Sequence, residues 1–596
     1  MRPTRRVPQL TFCWRLRPFF LATAILLLFL LTRSMSFAGS ATWDLNPGSG
    51  DWNTNANWTP ATGYPGATGI TDVATFGLSN TTSVGVSLNA TIGQIVFNSG
   101  ASAFTITVNA VATLTLDGTG ITNNSGITQK FVTAGGVGFN VAAMVFNNSA
   151  TAGANTSFVN NGGTANGTGG GATQFNNSST AGSGAFTNNG GAVSGAGGGS
   201  AVFSGSATAG SGTFTNNGGA VSGASGGFTQ FFGSSTAGSG TFINNGVTVS
   251  GGAVGNTVFS STSMAGSGTF TNNGAAVSGA FGGLTDFIGT SNTIFPTAGS
   301  GTFTNNGGTV SGAFGGLTRF RVSSTAGGGT FTNNGGTVVG AFGGSTQFAN
   351  TSTAGSATLI ANGGTGAGGS IFFFDDSIGG TASVDVRNNG TGTAGNLDIS
   401  AHNAPGVTIG SLEGSGNVFL GANNLTVGSN NLSKTFSGVI QDGGGFGGTG
   451  GSLTKIGSGT LSLTNSNTFT GGTLINAGTL IAAHDGALGR GNVSLTASSV
   501  TLTLQSGATN NYINDSATLT IALNATVNLN YTGTDVVAGL IVNGVSQAPG
   551  IYGSSNFSEF MGTGTITVVP EPTTLAMMAL GAGLLVGVQR FRHQRS

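Results

Sequence analysis

Charge is nearly missing from this chain. Lys, Arg, Asp and Glu make up 5% of the 596 residues, and 16 basic side chains balance 16 acidic ones. Several of the basic residues crowd the two ends, so the body carries no electrostatic footprint for nucleic acid. Cysteine occurs once, as Cys13, in a segment argued below to be removed, which excludes disulfides and thiolate metal sites from the processed chain. Histidine occurs three times, as His402, His484 and His593, at no metal-ligand or triad-like spacing. Asp375-Asp376 is the one adjacent acidic pair. β-Helical enzymes that cleave polysaccharides use clustered acids, but neighbours on a strand point to opposite faces, so a turn or solvated edge is the reading adopted. The chain is expected to be no enzyme and to carry no cofactor or metal.

Glycine and phenylalanine take the place of what is absent. Glycine contributes 112 residues, while 41 Phe and 38% hydrophobic residues exceed what a disordered chain carries. A packed structure is implied, held by burial and backbone pairing.

Both ends read as addresses. Arg2, Arg5, Arg6, Arg15 and Arg17 precede an apolar run from Phe19 to Leu31, and Ser36-Phe37-Ala38 places small residues where a signal peptidase reads. A secretory signal cleaved after Ala38 is expected. At the other end stand Val569, Pro570, Glu571 and Pro572, then apolar residues from Leu575 to Val588, then Arg590, Arg592 and Arg595. A short motif, a hydrophobic stop and a basic end fit the rule that positive charge stays inside. This tail resembles the PEP-CTERM sorting signal of Gram-negative bacteria that make exopolysaccharide. The resemblance implies recognition by an exosortase-type membrane protease, transient membrane insertion through Leu575 to Val588, and placement in the cell envelope, at the outer surface or in the extracellular matrix.

The middle is a repeat. Phe-Thr-Asn-Asn-Gly or a close variant begins at Phe158, Phe186, Phe214, Phe242, Phe270, Phe303 and Phe331, at steps of 28 residues with a single step of 33. A second phenylalanine follows each by 17, from Phe175 to Phe348, and Val193 and Gly195 recur in the same phase. About five extra residues near Thr290 to Pro296 account for the long step as a loop. Within a unit the period is two: Phe214 and Asn216 share one side, Thr213, Thr215 and Asn217 the other. Gln230 has Gln174, Val202, Val258, Asp286, Arg319 and Gln347 as counterparts, a tolerance of charge that marks a solvent face. Pairs such as Gly218-Gly219 and Gly226-Gly227 mark sharp turns or positive φ. Such a unit cannot bury its own apolar face and must stack on its neighbours. The expected fold is therefore all-β, a right-handed parallel β-helix of ~28-residue coils, with a signal helix before it and a hydrophobic helix after it. Each Phe would lie over the Phe of the preceding coil, and the inward Asn188, Asn216, Asn244, Asn272, Asn305 and Asn333 would form an amide ladder.

Residues 451–495 resemble the autotransporter-associated β-strand repeat, also called the passenger-associated transport repeat, through Leu453, Lys455, Gly457, Gly459, Leu461, Leu463, Phe469, Gly471, Gly472, Thr473, Gly478, Thr479 and Leu480. Members of that family fold as β-helical passengers. Autotransporters end in a membrane barrel of about 8 to 12 strands, whereas the expectation here is the sorting tail in its place. Trp43, Trp52, Trp58, Pro60, Asp72 and Phe76 are read as a cap that protects the first coil's open edge, with a carbohydrate-stacking platform as the alternative. The expected division is a signal peptide over 1–38, an N-terminal β cap and first coils over 39–125, the 28-residue repeat over 126–400, autotransporter-type repeats over 401–500, a C-terminal β cap over 501–568 and the sorting tail over 569–596. A structural or adhesin-like surface protein is the leading function. An ice- or carbohydrate-binding solenoid, using outward pairs such as Thr213 and Thr215, and a polysaccharide-degrading enzyme are the alternatives.

Overall fold

In the strand Thr213–Asn216, Phe214 and Asn216 are buried while Thr213 and Thr215 face outward, and in Phe228–Phe231 the buried pair is Thr229 and Phe231. This alternation fills one side of each strand with apolar bulk and leaves the other to solvent. The computed structural model describes residues 39–569 apart from 68, 137–140, 292 and 391. Among the described residues the only helical element is a 3-10 turn at Asn55–Asn57. The expected signal helix, Ala38 and the hydrophobic helix lie outside them. No helix among the described residues is long and apolar enough to cross a membrane.

Within the repeat each strand pairs in parallel with its counterpart one coil away. Thr213–Asn216 lies between Ala185–Asn188 and Thr241–Asn244, and Phe228–Phe231 between Ser200–Phe203 and Asn256–Ser260. Repetition of that step builds a first face from Ala41–Trp43 to Val439–Gln441 and a second from Ser83–Val86 to Phe560–Gly562. A third face begins as single parallel bridges through Thr151, Thr180, Thr208, Thr236, Met264, Thr297, Thr325, Thr353 and Ile378. It then widens into strands from Gly406–Ile409 to Gly539–Val542. The result is a parallel β-solenoid.

Identical side chains stack because the repeat keeps register. On the second face the rings of Phe158, Phe186, Phe214, Phe242, Phe270, Phe303 and Phe331 lie with centroids 4.5 to 4.9 Å apart. On the first face Phe175, Phe203, Phe231, Phe259, Phe287, Phe320 and Phe348 repeat the arrangement at 4.7 to 5.0 Å. The two ladders meet edge to face, as in Phe203 and Phe214 at 5.6 Å. Burying each ring contributes roughly 1.5 to 3 kcal/mol, and favourable ring geometry about 0.5 to 1.5 more.

The expected amide ladder is present. Asn188 Nδ2 donates to Asn216 Oδ1 at 2.7 Å, Asn216 to Asn244 at 2.8 Å, and the series runs on through Asn272 and Asn305 to Asn333. Thr229 Oγ1 donates to Asn216 Oδ1 at 3.0 Å from across the core. A second ladder, not anticipated, is made by the next residue of each unit. Asn217 donates to Asn189, Asn245 to Asn217 and Asn273 to Asn245 at 2.8 to 3.0 Å. The inner amides donate toward the C-terminal end and the outer ones toward the N-terminal end, so the two rows of dipoles oppose each other.

The Gly-Gly pairs have a different cause from the one expected. A Cβ on Gly226 would lie 1.9 Å from Val254 O, and one on Gly227 2.0 Å from Asn188 O. Close approach of backbones demands glycine at these positions, not positive φ. Left-handed φ falls instead at Gly223 (φ 75) and its equivalents Gly195, Gly251, Gly279, Gly312 and Gly340. The long step is an excursion after Leu284–Ile288 that exposes Ile294 and Phe295 and rejoins the stack at Thr297.

Beyond residue 441 the first face gives way to loops. Coils on the third face then step by 20 residues, from Leu453 to Thr473 to Val493. Phe469 and Leu488 fill the vacated side, and Asn467 ties it down by accepting from Ile440 N at 2.7 Å and donating to Ala487 O at 2.6 Å. The stack ends in antiparallel pairings, Gly539–Val542 with Val545–Ser546 and Gly550–Tyr552 with Thr565–Val568.

Candidate functional site

Between Lys130 and Asp375 the only charged residues are Asp286, Arg319 and Arg321. Parallel register sets Asp286 directly beside Arg319 on the first face, with Arg321 two residues further along the same strand. Both guanidiniums converge on the one carboxylate: Arg319 Nη2 lies 2.9 Å and Arg321 Nη2 2.6 Å from Asp286 Oδ2, and each Nε lies 3.3 Å from Oδ1. The side chain of Asp286 is 5% exposed while those of the arginines are 31% and 36% exposed, so the cluster shows one net positive charge to solvent. A carboxylate buried without both partners would be costly.

This cluster borders a groove. Phe281, Phe314 and Phe342 recur in the phase of the repeat and stack with centroids 4.9 and 4.5 Å apart on the outside of the solenoid. Phe281 is 61% exposed and Phe342 45%. Phe281, Phe314, Leu317, Arg319 and Gln347 line a cavity of about 520 Å³ together with Gly282, Gly315 and Gly343. A second stretch of about 610 Å³, lined among others by Gln174, Val202 and Asn256, shares Ala253 and Val254 with it. Together they make one trough parallel to the solenoid axis. The clue in the sequence was the spacing of 33 and 28 between these three Phe, the spacing of the repeat itself.

The residues weighed for other roles are committed elsewhere. Asp375 takes φ 53 at a turn where Asn148, Asn177 and Asn350 are also left-handed, a conformation Asn and Asp tolerate. Its Oδ2 accepts from Asn350 N at 2.8 Å, and Asp376 Oδ1 accepts from Asn403 Nδ2 at 3.0 Å. His402 holds the same corner, with Nδ1 2.6 Å from Asn403 O and Nε2 2.7 Å from Ser377 O. His484 Nδ1 lies 2.7 Å from Asp485 O. The Asp485 carboxyl sits below its ordinary range: burial works to raise it but is outweighed by hydrogen bonds from Thr509 and Asn511. No group of three or more metal-ligating side chains occurs among the described residues. His593 lies outside them.

Trp43, Trp52 and Trp58 are buried and pack edge to face, with Trp52 and Trp58 4.9 Å apart. Their indole N–H groups donate to Thr81 O, Pro65 O and Trp52 O. Buried rings offer no face to a sugar, so the stacking-platform reading of these residues is corrected in favour of a packed end. The outward Thr302 and Thr304 stand in register with Thr330 and Thr332, but Ile243 interrupts the row between Thr215 and Thr271.

Two buried ionisable groups matter for stability. Lys455 donates from Nζ to the carbonyls of Ile456, Gly457 and Ala477, and burial lowers its pKa to about 8. Asp535 is 1% exposed, accepts from Ile513 N at 3.1 Å and leaves Oδ1 without a partner; burial raises its pKa to about 8.

Of the expected sorting residues, Pro570, Glu571 and Pro572 lie outside the described residues. Val569 is exposed and its N–H donates to Val537 O at 3.2 Å, directly after the last strand, Thr565–Val568.

Comparison with known proteins bears on both features of the chain. The family model of the passenger-associated-transport-repeat matches residues 453–482, and that of the PEP-CTERM protein-sorting motif matches residues 568–592. The chain is similar to the adhesin BmaC autotransporter of Brucella suis biovar 1 (strain 1330), 33% identical over 215 residues. That match covers 31% of this chain and 6% of the adhesin's length. No solved structure matches.

Proposed function

We propose that the chain is an exported, adhesin-like structural protein, displayed at the cell surface or in the extracellular matrix as a rigid β-solenoid and processed at its C-terminal tail. The observation that carries this reading is a junction: the last strand ends at Val568, where the match to the sorting motif begins. In this reading residues 1–38 direct export and are cleaved after Ala38. The segment from Leu575 to Val588 enters the membrane transiently, and Val569, Pro570, Glu571 and Pro572 present the motif to an exosortase-type protease. Exopolysaccharide or the cell envelope is the partner, and no chemistry is performed. The engagement of Asp375, Asp376 and His402 in turn structure supports a non-enzymatic role.

Deleting residues 569–596 and fractionating cells, envelope and medium tests the address. The expected outcome is loss of the surface or matrix fraction, with the same loss in cells lacking the sorting protease. Unchanged fractionation in both cases would refute it.

A further inference from the structure

We propose that the trough beside Phe281, Phe314 and Phe342 binds an acidic polysaccharide, a linear chain of sugars bearing carboxylates at intervals. This deepens the adhesive reading by naming a partner for one face. Shape is the first argument. The trough runs past seven successive first-face strands, those starting at Ala172, Ser200, Phe228, Asn256, Leu284, Leu317 and Ser345, roughly 30 Å at about 4.8 Å per step. That is the form of a site for a polymer and not for a small molecule.

Charge is the second argument. The only three charged residues between Lys130 and Asp375 form one cluster with an excess of one positive, and its Arg319 lines this trough. Each guanidinium spends Nε and Nη2 on Asp286, which leaves Nη1 to donate to an incoming carboxylate. Phe281 and Phe314, which line the trough, stack face on face along the solenoid, so ring edges, the positive side of the aromatic quadrupole, border it. An anion with apolar CH surface suits such a wall. Gln174, Asn256 and Gln347 supply hydroxyl-binding amides along the rest.

Other polymers fit less well. A nucleic acid brings a phosphate at every step and draws its affinity from many cations, against one net charge here. A peptide strand would need an unpaired sheet edge, whereas the backbone here is paired from coil to coil, as in Phe314 N to Ala280 O and Phe342 N to Ala313 O, both 2.9 Å.

The test is retention of the purified full chain on immobilised polygalacturonate, neutral dextran and poly(dT). Retention on polygalacturonate alone is expected. The combined change Asp286→Asn, Arg319→Gln and Arg321→Gln, which removes the charges without stranding one, should weaken it roughly ten- to a hundredfold, the worth of one or two charged hydrogen bonds. Gln347→Glu, at an outward position where the fold already accepts Asp286 and Arg319, should cover Arg319 and weaken binding similarly with an unchanged melting profile. Thr304→Glu on the second face should bind as the parent does. No retention on polygalacturonate, retention indifferent to Gln347→Glu, or equal retention on poly(dT) would overturn the proposal. Binding in vitro does not depend on export, so such a failure leaves the address reading standing and is separable from it.

Discussion

Asn216 and Asn217 are neighbours with the same side chain, and replacing each by alanine separates burial from chemistry. Asn216 is fully buried. Its Oδ1 accepts from Asn188 at 2.7 Å and from Thr229 at 3.0 Å, while its Nδ2 donates to Asn244 at 2.8 Å. Removal strands the Thr229 hydroxyl proton and takes one bond each from Asn188, Asn244 and Thr257, inside a fully buried core. At about 1 to 3 kcal/mol for each buried polar group left unsatisfied, Asn216→Ala should cost ~2 to 5 kcal/mol. Asn217 also bonds up and down its ladder, at 3.0 and 2.9 Å, but its partners are only half-buried and can turn to solvent. Asn217→Ala should cost under about 1 kcal/mol. In a solenoid each coil leans on its neighbours alone, so the loss should appear locally. Hydrogen exchange should show protection falling in strands 185–188, 213–216 and 241–244 for the inner change and barely moving for the outer one. Equal loss from the two would refute the assignment of inner and outer ladders.

Further outcomes follow from the same geometry. Phe214→Asp, which puts a carboxylate between the rings of Phe186 and Phe242, should unfold the adjacent coils, whereas Gln230→Asp, on the half-buried outer side, should change stability by less than about 0.5 kcal/mol; thermal melts compare them. Asp535 holds its proton in the folded chain up to a pKa of about 8 and loses it near its ordinary value when unfolded. The contribution of Asp535 to the stability of the C-terminal coils should therefore be fully present below about pH 4 and decline as pH rises toward 8, by at most about 1.4 kcal/mol per unit. Asp535→Asn should remove that slope, read by denaturant melts across pH. Val322 occupies the left-handed region at φ 59, where a β-branched residue is strained; Val322→Asn should stabilise by about 1 kcal/mol, and a destabilised variant would argue against that turn.

Much of the solenoid is legible in the chain because a repeat writes its register directly. Once Phe214 and Asn216 alternate with Thr213 and Thr215, and the pattern returns after 28 residues, stacking is the one way to bury the rings. Burial depends on which side of a strand a residue occupies, which the period of two reveals. The Gly-Gly pairs were misread because a glycine required by close approach of another coil looks, in sequence, like one required by positive φ. The outer Asn ladder was missed because a residue facing outward is usually free, and only the corner geometry half-buries it.

The candidate site divides along the same line. Composition alone determined that this chain has almost no charge, no thiol chemistry outside Cys13 and a tail patterned for sorting. Tertiary structure decided what the few charges do. Asp286 and Arg319 stand 33 residues apart, across a loop insertion, and look like independent solvent-facing substitutions until parallel pairing sets them side by side with Arg321. The three Trp read in sequence as an end cap with a sugar-stacking platform as the alternative, and packing, which buries them, decided between the two. Local pattern carries the information for which face a side chain takes, since that depends on neighbours in the chain. Which distant side chains then meet, and whether a ring shows its face or its edge, depends on the coil-to-coil register and the space at each corner, which exist only once the solenoid is wound.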